Sequence, residues 1–370
     1  MRVGIDGRAL AAEARSGVEW YVVHLLRALA RLPQAPEIIA YADREVRDPE
    51  AASAVRSVVV RARRGWLRAA LPWRLWRDRV EVAHFPSTIL PPLLPCPAVV
   101  TVHDLAWERF PETYETADLA MQQRAVCIAA RRAARLITVS ESTAQDLRER
   151  YPEAGPRIRV TPLGVSPAFS PEGQPLDPQA LPAAQCLAGG YLLYAGRLHP
   201  RKNLGRLLEA YRLLLRHADA PPLALAGTPS PHGEELAAAV ARLGLADRVL
   251  FLGYVAPELL PQLYRGAALF AYPSLYEGFG LPVLEAMASG VPVVASRVPS
   301  LAEVAGEAAL LVDPVSPDEM AAAMARLLAE PELRAELIRR GLARSRAYTW
   351  ERTARLTLAV YREVGGERAP

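Results

Sequence analysis

The segment of this 370-residue chain richest in groups that can do chemistry is Pro273-Ser-Leu-Tyr-Glu-Gly-Phe-Gly-Leu-Pro-Val-Leu-Glu285. Gly278 and Gly280 allow unusual backbone angles and close approach to a ligand. Pro282 suits a first helical turn, and the N–H groups at such a turn form an anion site. Glu285, three residues on, falls in the first turn or so and faces the same opening, where a carboxylate can take two sugar hydroxyls. The competing reading is a glycine-rich turn with a glutamate favoured by the helix dipole.

A second cluster is Gly196-Arg197-Leu-His-Pro-Arg201-Lys202-Asn203. Lysine and arginine total 44, yet Lys202 is the only lysine, and Asn203 beside it is the only asparagine. Asn203 reads as the N-cap of the following helix. Arg197 and Lys202 then stand where a diphosphate would sit, one offering a flat fork of donors and the other a compact point charge; Arg201 can point elsewhere. The bland alternative is a solvated basic loop.

Three further features carry weaker signals. His103, in Thr-Val-His-Asp-Leu at a strand end, is either a structural histidine or a side chain reaching a cleft. Gly17, in Ser16-Gly17-Val18, is a plain loop glycine or a place where phosphate meets a helix N-terminus. From Arg61 to Arg79 seven arginines face one aspartate, with Trp66, Trp73 and Trp76 interleaved. That composition suits an anionic membrane surface. An ordinary helix with a buried Trp/Leu face fits equally, and RNA binding less well, for want of a recognisable motif.

The elements that must position these groups alternate short β-rich runs with helices, the α/β pattern. Strands are predicted at Val3–Asp6, Ile38–Tyr41, Val58–Val60, Val80–His84, Ala98–Thr101 and Arg135–Val139. After a Pro/Gly/Ser-rich stretch from Pro162 to Pro182 the pattern restarts, with strands at Tyr191–Ala195, Leu223–Ala226, Val249–Leu252, Leu269–Tyr272 and Pro292–Ala295. Two doubly wound halves follow, with ligands expected outside the carboxyl ends of their strands. The expected division is residues 1–170, residues 171–346, and a final helix in 347–370 that crosses back to the first half.

Composition sets the outer bounds. Half the chain is hydrophobic (51%) and 23% is charged, the balance of a globular protein rather than a disordered one. A net charge of +4 is too small to imply nucleic acid by itself. Cys96, Cys127 and Cys186 lie far apart and read as buried small hydrophobes in a reducing compartment. Neither a signal peptide nor a membrane-spanning run of 18 apolar residues is expected. No Asp-x-Asp pair is present to hold a divalent metal.

Together these motifs resemble the retaining glycosyltransferases of family 4, which have the GT-B fold. The resemblance rests on Glu277-x7-Glu285, Gly196-Arg197 with Lys202-Asn203, the His-Asp-Leu at His103, Pro-Leu-Gly-Val at Pro162–Val165 and Tyr-Thr-Trp-Glu-Arg-Thr at Tyr348–Thr353. It is strongest to the mannosyltransferase-like branch that builds cell-surface polysaccharides. It implies two Rossmann-like domains facing an interdomain cleft, with the donor nucleotide-sugar on the second. Arg197 and Lys202 would hold the distal phosphate, Glu285 the ribose hydroxyls and Glu277 the transferred hexose. The backbone at Gly278, Phe279, Gly280 and Leu281 would meet sugar hydroxyls and phosphate. Gly196 belongs to the donor loop, Gly17 would bring amides to the phosphate, His103 would contact the sugar, and Tyr254 would lie near the base. The implied reaction is metal-independent, cofactor-free hexose transfer with retention. GDP-mannose is the first donor indicated, with UDP- and ADP-sugars served by the same kind of site. The acceptor would be a saccharide or lipid-linked saccharide, and the enzyme cytoplasmic, with a peripheral place on the inner membrane face open to it. A sugar-nucleotide epimerase of the same fold and a non-catalytic membrane- or polysaccharide-binding module are the alternatives.

Overall fold

The computed structural model describes residues 1–12, 17–46, 54–62, 64–181, 187, 189–228 and 231–366. The chain forms two units, Met1–Gly164 with Tyr348–Pro370, and Val165–Ala347.

The first unit is built on β1 (Arg2–Asp6), β2 (Glu37–Ala42), β3 (Arg56–Val59), β4 (Val82–Phe85), β5 (Ala98–Val102), β6 (Arg135–Thr138) and β7 (Ile158–Val160). They pair in parallel in the order β3-β2-β1-β4-β5-β6-β7. The second carries β8 (Tyr191–Ala195), β9 (Leu223–Ala226), β10 (Val249–Gly253), β11 (Ala267–Tyr272), β12 (Val293–Ser296) and β13 (Leu310–Val312), parallel in the order β10-β9-β8-β11-β12-β13. Central strands such as β5 and β8 are buried along their whole length, as a parallel sheet covered by helices on both faces requires. In each sheet the order reverses once, at β1/β4 and at β8/β11.

The helix Trp350–Val364 belongs to the first unit. Thr353 donates to the Pro162 carbonyl at 2.6 Å, and Glu363 is gripped by Arg135 at 2.7 Å and Arg159 at 2.6 Å. A Cβ at Gly164 would lie 2.1 Å from the Trp350 nitrogen, so only glycine lets the two backbones meet. The residues just after Gly164 go with the second unit: Arg265 donates to the Ser170 and Gln174 carbonyls, and Phe169 packs edge-on against Tyr264.

Strand β4 starts two residues later than the sequence pattern indicates, because Arg79 takes a left-handed φ of 53° that ends the preceding helix. Cys96 and Cys127 are free and half-buried rather than fully buried, with Cys96 packed against the core of the first unit; Cys186 lies outside the described residues. Among the described residues no helix is long and apolar enough to cross a membrane.

Candidate active site

Ligands of doubly wound sheets sit beyond the carboxyl ends of the strands at which the order reverses. In the second unit those are β8 and β11, and the two motif loops follow them directly. The Leu275 N–H donates to the Arg201 carbonyl at 2.9 Å and joins the loops. At this seam Lys202 Nζ donates to Glu277 Oε1 at 2.5 Å and to the Tyr272 hydroxyl at 2.8 Å. Arg201 Nη1 donates to Glu277 Oε2 at 3.1 Å and to the Tyr276 carbonyl at 2.8 Å.

One carboxylate thus bridges two cations, with Lys202 7% and Glu277 8% exposed, where salt screens little. Burial pushes the Glu277 pKa up, but the charges of Lys202 and Arg201 outweigh it and hold the pKa at about 2. Two cations against one anion leave an excess positive charge. The solvated basic loop, the alternative reading of this segment, is therefore not what forms: Arg201, allowed to point elsewhere, points in to a closed ion cluster, and of the three cations only Arg197 is exposed.

An aromatic ladder supports the cluster. Tyr272 stacks on Tyr194, with centroids 5.9 Å apart, and on Phe270 at 5.6 Å, while the Lys202 ammonium lies 5.1 Å from the Tyr272 ring centroid. Tyr194 donates to the Arg197 carbonyl at 2.9 Å. Sequence reading placed both tyrosines only as strand residues; a hydroxyl at the carboxyl end of an apolar strand was the available signal. His199 was also missed. Its Nδ1 accepts from the Arg201 N–H at 3.2 Å, and burial together with the Arg201, Arg197 and Lys202 charges lowers its pKa to about 4, so the ring is neutral at pH 7.

Asn203 occupies the N-cap position of the helix Leu204–His217, but its side chain does not cap it. The amide instead donates to the Pro273 carbonyl at 3.0 Å and the Pro314 carbonyl at 2.6 Å, and its oxygen accepts from Arg206 at 2.9 Å. Its φ is 60°, a left-handed conformation that asparagine tolerates better than other side chains do. The lone asparagine therefore turns the chain and ties three loops, a different task from the cap assigned by spacing.

The glycines Gly196, Gly227 and Gly253 form a row across the ends of β8, β9 and β10. Gly196 donates to the Ala226 carbonyl and Gly227 to the Gly253 carbonyl, each at 2.9 Å. A Cβ at Gly227 would fall 2.1 Å from the Gly196 carbonyl oxygen, a constraint invisible in the sequence. Tyr254, next in line, is 62% exposed.

Gly280, at φ 120°, starts the helix Leu281–Ala288, and a Cβ there would lie 2.5 Å from Leu301. Gly278 and Phe279 are buried. Glu285 falls in the second helical turn rather than the first, because the helix begins at Leu281. Its half-buried carboxylate accepts from the Tyr264 hydroxyl at 3.1 Å. Burial pushes its pKa up to about 7, which that hydrogen bond only partly offsets.

In the first unit His103 follows β5. Its Nε2 lies 3.0 Å from the Pro86 carbonyl, an acceptor only, so Nε2 carries the proton and Nδ1 presents a lone pair. Burial lowers its pKa and keeps it neutral. Tyr21 packs edge-on at 4.9 Å, and its hydroxyl meets Thr101, which meets His84, which meets Tyr361. Gly17 opens the helix Gly17–Ala30 with nothing within 4 Å of a Cβ placed there; Ser16 lies outside the described residues.

The model of "Glycosyl transferases group 1" matches residues 189–344, and that of "Glycosyltransferase Family 4" residues 15–169. The chain is 35% identical over 291 residues to the O-antigen chain mannosyltransferase B of Escherichia coli, covering 78% of this chain and 76% of that one. It is 37% identical over 247 residues to the D-inositol 3-phosphate glycosyltransferase of Acidothermus cellulolyticus, covering 63% of this chain and about half (54%) of that relative. Among solved structures, sucrose-phosphate synthase from Thermosynechococcus elongatus superposes with a TM-score of 0.78 over 99% of this chain and 100% of that one, at 24% identity, which shows a shared fold. With the switch-point cluster and both family matches in hand, the chain belongs to the group 1, family 4 glycosyltransferases of GT-B type, enzymes of glycan synthesis.

Proposed function

We propose that this glycosyltransferase moves a hexose, mannose in the first instance, from GDP-mannose to a saccharide or lipid-linked saccharide at the cytoplasmic face of a membrane, with retention and without a metal. The observation that carries the reading is the Arg201–Glu277–Lys202 cluster at the β8/β11 switch point. Leaving-group departure puts negative charge on the diphosphate, and fixed cations aimed there lower the barrier. Lys202 and Arg197 take the distal phosphate and supply that charge. A carboxylate held at about 2 is a poor proton acceptor at neutral pH, so Glu277 orients a hexose hydroxyl, and the departing phosphate oxygen takes the acceptor's proton on the same face. His103 Nδ1 accepts a sugar hydroxyl. Tyr254 flanks the base, and Glu285 takes the ribose hydroxyls. Mannose is supported by the name of the E. coli relative.

A thermal-shift screen across GDP-, UDP- and ADP-sugars tests the donor, because binding to the folded state raises the midpoint. Product analysis with an added acceptor tests transfer; nucleotide-sugar conversion without transfer would point to an epimerase, and absence of any nucleotide binding to a non-catalytic module.

Two predictions belong to this site. Donor affinity is expected to rise as pH goes from about 6 to about 8, because Glu285 must lose its proton to accept two hydroxyls. Calorimetry across that range reads it, and Glu285→Gln should flatten the profile. Gly227→Ala, whose methyl meets the Gly196 carbonyl, is expected to weaken donor binding at least tenfold, about 1.4 kcal/mol, while circular dichroism stays unchanged.

A further inference from the structure

The arginine- and tryptophan-rich segment plays no part in the donor site described above, and its burial pattern separates two of its tryptophans from the core. A π-helical turn, Trp66–Ala70, runs into the helix Leu71–Arg77. Leu71 and Leu75, four residues apart, are each 1% exposed and face the core. Trp73, Trp76 and Arg77 fall on the opposite side by their spacing. The indoles of Trp73 and Trp76 are 55% and 67% exposed, so of the three tryptophans only Trp66, which packs against the core beside Leu67, fits the alternative of a buried Trp/Leu face. Arg77 sits over the Trp73 ring at 5.3 Å. Among the described residues, Arg64, Arg68, Arg77 and Arg79 are exposed and make no ion pair with an acidic group, whereas Arg74 is paired with Asp78.

The location also matters. Asp6, at the carboxyl end of β1, chelates Arg8 at 2.9 Å and 2.6 Å, and the Arg8 guanidinium covers the Trp66 ring at 4.9 Å. The start of the segment is thereby anchored at the carboxyl end of β1, while its far end, past Trp73 and Trp76, returns to the start of that strand, where the Asp78 carbonyl accepts from Arg2.

We propose that this face docks on an anionic lipid bilayer. Exposed indoles favour the headgroup boundary, where an apolar ring and a polar N–H are both accommodated. The unpaired arginines complement a negative surface. Docking there holds the first unit at a surface that can carry a lipid-linked acceptor, a purpose that rests on the transferase reading above, whereas the docking itself does not.

Cosedimentation tests it. The wild-type chain should pellet with phosphatidylcholine vesicles containing about 30% phosphatidylglycerol, and be released by about 1 M salt, where the Debye length falls to about 3 Å. Trp73→Ser with Trp76→Ser should weaken pelleting at least tenfold, with circular dichroism and the GDP-mannose thermal shift unchanged. A natively folded double variant that pellets like wild type would overturn the proposal, as would equal binding to phosphatidylcholine alone. Binding to poly(U) but not to vesicles would make the face a nucleic-acid surface instead. Should the tryptophan variant fail to fold, Arg68→Glu with Arg77→Glu provides the same comparison, and undiminished pelleting again rejects docking. Loss of the nucleotide-sugar shift in the wild type would reject the transferase reading and leave docking standing.

Discussion

Lys202→Arg is expected to lower turnover at least tenfold, about 1.4 kcal/mol in the barrier, although the charge is kept. The ammonium fills a slot bounded by the Tyr272 ring, the Tyr272 hydroxyl and Glu277 Oε1. A planar guanidinium is larger and carries its charge further from the backbone. It would displace either the carboxylate or the ring. Lys202→Ala removes the charge altogether and is expected to cost about 10²–10³-fold, the range for deleting one donor to a developing anion. Steady-state kinetics with donor held saturating reads both. An arginine variant with unchanged turnover would remove the argument that a compact charge is required.

Removing the other half of the pair acts first on stability. The Glu277 pKa is lowered from 4.5 to about 2. A depressed acid adds stability that is complete above its unfolded value and disappears as pH falls through its folded value. That window runs from about 4.5 down to about 2, and the shift corresponds to about 3 kcal/mol. Glu277→Gln keeps the shape but removes the charge that balances the buried Lys202 and the half-buried Arg201. It is expected to destabilise the second unit by about 3 kcal/mol at pH 7, at the low end for breaking a buried pair. The difference from wild type should shrink as pH approaches 2. Urea unfolding at pH 7 and in acid measures it, and identical curves at pH 7 would mean that the cluster contributes nothing to the fold.

How much of this was legible in the sequence follows from which forces are local. The strands Tyr191–Ala195 and Leu223–Ala226 match their predicted ranges residue for residue, since each is a short unbroken apolar run bounded by glycine or proline, the local signature of a strand buried on both faces. The three-residue strands β7 and β13 and the helix Pro299–Ala305 escaped, because short segments pair or pack only through neighbours distant in sequence. The site shows the same division. Glu277 and Lys202 stood out by residue type and rarity, yet their mutual ion pair, 75 residues apart along the chain, has no local signature. Asn203 was noticed for its rarity but given the wrong task, since spacing indicates a cap while the tertiary structure supplies two carbonyls better placed to receive its amide. In the arginine-rich segment, residue types alone could not say which side each indole takes; Leu71 and Leu75 occupy the core face of their helix and leave Trp73 and Trp76 outside, while Trp66 packs inward.

The return of the helix Trp350–Val364 to the first unit has a consequence for how the chain comes into being. Synthesis is vectorial, and domains generally fold as they emerge from the ribosome. The second unit, Val165–Ala347, has its whole sequence available before that helix is made. The first unit, although begun earlier, must wait with a covering element missing. Until Tyr361 arrives, the wholly buried imidazole of His84 lacks the hydroxyl that meets its Nδ1 at 2.7 Å. The nascent first half is thus the portion exposed longest to chaperones and proteases, and an interruption late in translation would harm the unit that was started first.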